Sequence, residues 1–141
     1  MIVIAEQHLA TISSAAESTY PAECCGLLAG IVLSQTETRV TRVVPSQNVT
    51  ESDSRDSFEV DPKIRFGLMR ELEGTTEQIV GHYHSHPDHP AEPSETDAAM
   101  IYEPELFWLI VSVADGTTLD IRAYAPHPDA SGFSPVALHT M

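Results

Sequence analysis

The chain has 141 residues, 42% of them hydrophobic, which is enough for a substantial core and leads us to expect one domain over 1–141. Its 21 acidic residues stand against 7 lysines and arginines, giving a formal net charge of -14. That balance repels phosphate backbones and anionic lipid surfaces, so nucleic-acid and membrane partners are not expected.

Ile2-Val3-Ile4 suits a first strand, and Leu9, Ile12, Ala15, Ala16 and Thr19 then recur at helical intervals. The helix should stop at Tyr20, because proline disfavours helical geometry in the residue before it. Cys24 and Cys25 are the only cysteines. Adjacent cysteines rarely meet disulfide geometry, and no basic, apolar leader or run of about 18 apolar residues is present, so a reduced, cytoplasmic setting is the expectation.

Pro21 to Gly30 holds an isolated acid, Glu23, at the entrance of an apolar run. An unpaired carboxylate there is costly to desolvate, so Glu23 needs water, a cation or a task, unless it lies on an exposed loop. Cys24 and Cys25 read as core residues, since metal-binding cysteines usually come as spaced pairs. Two strands between Ile31 and Val44, separated by Ser34-Gln35-Thr36-Glu37, make a hairpin that Pro45 closes.

Residues 46–57 are polar throughout and longer than an ordinary connection, a pattern shared by mobile loops and by functional walls. Phe58-Glu59-Val60 fits a short strand. Asp61-Pro62 fits an N-cap and first helical residue, opening an amphipathic helix through Ile64, Leu68, Met69 and Leu72 that ends near Gly74.

Gln78 to Gly81 reads as a buried strand running into His82-Tyr83-His84-Ser85-His86-Pro87. Residues two apart on a strand share a face, so His84 and His86 point one way and Ser85 the other. Pro87, Pro90 and Pro93 delay the next helix, for which Ser94 is an N-cap and which should continue from Asp97 through Tyr102. Asp97 then falls in the first turn, where it can face the strand end. Two imidazoles and one carboxylate are the usual ligands of a catalytic zinc site. His82 and His89 are close by, so the spacing alone does not choose among the histidines.

Leu106 to Val113 is a nearly continuous apolar strand, buried on both faces. Asp115-Gly116 marks a turn into an antiparallel partner from Leu119 to Tyr124, and a last strand is expected from Val136 to His139.

Glu23 in Pro-x-Glu-x-Cys-Gly-Leu-Leu-x-Gly, with His84-Ser85-His86-Pro87, Ser94 and Asp97, resembles the JAMM, or MPN-plus, metallopeptidase motif. The match covers every element from Glu23 to Asp97. It implies an α/β fold, a mixed central β-sheet flanked by helices in the JAMM/MPN architecture, which is cytidine deaminase-like. It implies zinc held by His84, His86 and Asp97 with a water completing the tetrahedron, Glu23 as general base and then acid, and Ser94 as oxyanion donor as well as N-cap. His82 and His89 drop out of the ligand set. The implied substrate is an amide bond after the C-terminal glycine of a ubiquitin-like or sulfur-carrier protein. An inactive MPN-like scaffold is opposed by the intact Glu23, His84, His86 and Asp97, and a zinc deaminase by the missing Pro-Cys-x-x-Cys ligand pair.

Overall fold

The computed structural model describes residues 1–141. Its elements are β1 (Ile2–Ile4), α1 (Glu6–Thr19), β2 (Cys25–Val32), β3 (Thr38–Ser46), α2 (Pro62–Leu72), β4 (Gln78–Pro87), α3 (Glu95–Ala98), β5 (Phe107–Ala114), β6 (Thr117–Pro126), β7 (Phe133–Val136) and β8 (Leu138–Thr140). The strands form one mixed sheet in the order β7-β6-β5-β4-β2-β3-β1-β8. β4 and β5 are parallel, as are β1 with β3 and with β8, while the remaining neighbours are antiparallel.

Side-chain alternation along β2 divides the core between the two faces of the sheet. Leu28 faces α1 and packs with Ile12, Ala16, Tyr83, Leu109 and Val111. Leu27 and Ala29 face the other way and pack against Leu68 and Leu72 of α2. A helix thus covers each face, and β5 is buried through seven of its eight residues, as its unbroken apolar run requires. No helix is long and apolar enough to cross a membrane.

β7 and β8 stand at opposite ends of the strand order, yet only Ala137 separates them. One residue advances the chain by about 3.8 Å, so the sheet must curl until its two edges meet. Ile2 N–H donates to the Ala137 carbonyl at 2.9 Å, tying this connecting residue to β1 beside β8. The single terminal strand expected over Val136 to His139 is therefore replaced by two short ones, broken where the chain passes from one edge to the other.

Three other expectations change. β2 starts at Cys25 rather than near Ile31, and β3 runs through Pro45 to Ser46. Proline is tolerated there because β1 pairs only with Thr38 and Arg39, leaving the Pro45 end of β3 as an edge. Phe58 to Val60 is no strand but a single bridge between Asn48 and Val60. The helix expected from Asp97 through Tyr102 stops at Ala98, because Ile101 turns inward to pack with Trp108, and Glu103 precedes a proline that excludes helical geometry.

Candidate metal centre

The antiparallel pairing of β2 with β4 brings the two informative stretches together. Cys25 lies opposite His84, and Ser85 N–H donates to the Cys24 carbonyl at 3.1 Å, so the residue before Cys24 sits beside the end of β4. Ser85, fully buried, accepts the Cys24 N–H on its Oγ at 2.8 Å. The Tyr83 ring lies against Gly26, where any Cβ would collide with it. Close packing on the α1 face thereby fixes the register that puts Glu23 next to the histidines on the opposite face.

After β4 the chain loops through Pro90 and Pro93 and returns at α3. Ser94 caps this helix reciprocally: its Oγ accepts the Asp97 N–H at 3.1 Å, and its own N–H donates to Asp97 Oδ2 at 2.9 Å. The exchange locks the Asp97 side chain toward β4. His84 Nε2 and His86 Nε2 lie 3.0 Å apart, with Asp97 Oδ2 3.0 Å from His86 and Oδ1 3.3 Å from His84. All three residues are buried.

Their geometry fits a tetrahedral metal. Ligand bonds of about 2.0–2.1 Å place neighbouring donor atoms roughly 3.3 Å apart, close to the separations here. The donor chemistry agrees. His86 Nδ1 donates to the Pro90 carbonyl at 3.0 Å, a pairing that puts the proton on Nδ1 and leaves the Nε2 lone pair facing the other two groups. A lone-pair nitrogen, a second imidazole and a carboxylate converging in so small a space suit a shared cation. Phe58 stacks on the His84 ring at a centroid distance of 4.2 Å and an interplanar angle of 14°, and Trp108 meets it edge-on.

Glu23 is 4% exposed, and its Oε1 has no hydrogen-bond partner. It lines a cleft of about 310 Å³ together with Asp56, His86, Pro90, Glu92 and Ser94. Burial pushes its pKa from 4.5 up to about 8, with the nearby His86 opposing the shift and Asp97 and Asp56 adding to it. The exposed-loop alternative for this residue is thus excluded. Burial also raises Asp97, but the close approach of His84 and His86 and the Ser94 N–H overcome it and hold the carboxylate well below its usual range. Burial lowers the pKa of His84, whereas at His86 burial is outweighed by Asp97, Pro90 and the charge of Glu23, which raise it.

The other candidates lie elsewhere. His82 packs edge-on against Trp108 at 4.4 Å and lines a separate, largely apolar pocket with Phe58, Arg65 and Leu106. His89 is exposed on the cleft rim. Cys25 turns toward the Gln47 and Glu59 carbonyls, and burial pushes its thiol up to about 12, so it offers no thiolate to the triad. Sequence patterns had not pointed to Phe58 as a stacking partner or to the Pro90 carbonyl as the group that orients His86. Only the closely spaced prolines hinted that this backbone is held rigid.

The family model for prokaryotic homologs of the JAB domain matches residues 5–125. The chain belongs to this family. Among its relatives, a desampylase from Haloferax volcanii is 37% identical over 92 residues, 65% of this chain and 63% of that protein. A CysO-cysteine peptidase from Mycobacterium tuberculosis is 29% identical over 124 residues, 88% of this chain and 82% of the relative. AF2198 from Archaeoglobus fulgidus, a JAB1/MPN domain protein, superposes with a TM-score of 0.62 at 20% identity, covering 100% of this chain and 99% of that one. This JAB-family chain therefore has the JAB1/MPN fold, the mixed sheet flanked by helices that the motif implied.

Proposed function

We propose that this protein is a zinc metallopeptidase that hydrolyses the amide bond after the C-terminal glycine of a ubiquitin-like or sulfur-carrier protein. The observation that carries this reading is the pairing of a buried His84-His86-Asp97 triad, with donor atoms 3.0–3.3 Å apart, and an unpaired, buried Glu23 carboxylate in the adjoining cleft. His84 Nε2, His86 Nε2 and the Asp97 carboxylate are the zinc ligands. Zinc bound there would supply a Lewis acid for the scissile carbonyl and a nucleophile usable near neutral pH.

The chain's own groups do the rest. Glu23 takes a proton from the attacking water on its free carboxylate oxygen and returns it to the leaving amine. Its pKa, set by burial at about 8, falls when positive charge occupies the triad, which readies it as a base near neutrality. Ser94 Oγ accepts the Asp97 N–H, so its hydroxyl proton is free to meet the developing oxyanion from the cleft edge. The Pro90 carbonyl keeps His86 in the tautomer that ligates. The substrate class rests on the relatives, one named a desampylase and another a CysO-cysteine peptidase.

The reading is tested by comparing the wild-type protein with Glu23→Gln on a carrier that bears a C-terminal extension, alongside zinc analysis. Both should bind one zinc and only the wild type should cleave. Full activity in Glu23→Gln would remove that residue from the mechanism.

A further inference from the structure

Glu23 stands two residues before Cys25, the first paired residue of the β2–β4 ladder, so the ladder does not by itself hold its backbone. Both of its backbone groups are instead bonded to the connection between β3 and α2: its N–H donates to the Ser54 carbonyl at 2.7 Å, and its carbonyl accepts from Asn48 Nδ2 at 3.2 Å. Asn48 is half-buried and uses its entire hydrogen-bonding capacity. Nδ2 also donates to the Ser57 carbonyl at 3.0 Å, while Oδ1 accepts the N–H groups of Thr50 at 3.1 Å and Glu59 at 2.9 Å. Two carbonyl partners on one side and two N–H partners on the other also fix which way the amide faces.

Two of these partners have a shared consequence. The Ser57 carbonyl and the Glu59 N–H belong to the peptide groups on either side of Phe58, whose ring stacks on His84. A single side-chain amide therefore grips the backbone of Glu23 and the backbone of the residue that backs the triad. The Glu23 carboxylate has no side-chain partner of its own at Oε1, so its direction is inherited from this backbone.

We propose that Asn48 is a positioning residue, setting the placement of the Glu23 carboxylate relative to His84, His86 and Asp97. It touches neither the triad nor the cleft and acts through Glu23. The inference rests on the peptidase reading for its kinetic consequence but not for its structural one. A proton carrier displaced by about 1 Å can cost on the order of 100-fold in rate, which sets the scale of the effect.

The variant that isolates the role is Asn48→Asp, which keeps the two acceptor contacts to Thr50 and Glu59 and loses both donations to carbonyls. Two measurements are made on it. In a high-resolution structure of the zinc-loaded variant, the Glu23 carboxylate is expected to move by about 1 Å or more, or to lose a single orientation, while the triad superposes on the wild type. In steady-state cleavage, kcat is expected to fall about 30-fold or more, with KM and zinc content within about twofold of the wild type.

A Glu23 carboxylate that superposes in the variant overturns the proposal, whatever the kinetics. So does a loss of zinc, or a rise in KM that accounts for the lost activity, because Asn48 would then be supporting the loop as a whole. An Asn48→Asp protein that does not fold overturns it for the same reason. Failure of the peptidase reading is distinguishable: the zinc-loaded wild type would then leave every carrier uncleaved, while the displacement of Glu23 in Asn48→Asp would still be observed.

Discussion

Glu23→Gln should stabilise the metal-free protein. The carboxyl is 4% exposed without a partner on Oε1, and burial moves its pKa from 4.5 to about 8. Because the folded pKa is the higher one, the folded protein retains a proton that the unfolded chain has already released between those values. Stability therefore falls as pH rises from about 4.5 to about 8 and is level above that window. The full displacement sets an upper bound of about 5 kcal/mol, and relaxation with water entering the open cleft reduces this to about 2 kcal/mol. For a chain of this size that is roughly 6 °C in Tm. Glutamine is nearly isosteric and carries no charge to desolvate. The assay is thermal unfolding of chelator-treated wild type and variant from pH 5 to pH 9, with a gap that is small at pH 5 and complete by pH 8. Zinc loading should shrink it, since the carboxylate then faces positive charge. Equal melting at every pH, or a variant less stable at pH 8, would refute the argument that the site stores a desolvated acid.

Three further outcomes follow from the same geometry. His84→Ala or Asp97→Ala should weaken zinc at least about 100-fold in competition with a chromophoric chelator, because each removes a proposed ligand that no neighbour replaces. Ser94→Ala should lower kcat about 100-fold through the lost oxyanion donor and cost about 1 kcal/mol in unfolding experiments through the lost cap, two effects separable by measuring both. Phe58→Ala removes a side chain 5% exposed that backs the His84 ring, so it should cost about 3 kcal/mol in denaturant unfolding and release zinc faster on dilution into chelator.

The strand carrying the histidines was legible in sequence because alternation and β-propensity are local properties: one strand suffices to send His84 and His86 one way and Ser85 the other. The helix bearing Asp97 was legible only as far as its cap. Ser94 marks the start locally, but its end at Ala98 depends on Ile101 finding Trp108, a contact between segments that no periodicity encodes. The split of the last strand follows from the curl of the whole sheet and has no signature in residues 133–140. Glu23 was noticeable as an acid out of place, and the role proposed for it came from the motif. Asn48 left no signal, because a polar residue in a polar loop looks the same whether it faces solvent or holds four backbone groups.

Zinc-dependent cleavage after a terminal glycine is tested most directly by intact-mass measurement. A ubiquitin-like carrier with a short C-terminal extension is incubated with zinc-loaded protein and with chelator-treated protein. The product should end at the glycine in the first sample, and the carrier should be unchanged in the second. Cleavage that survives metal removal, or no cleavage of any such carrier by protein holding one zinc, would contradict it.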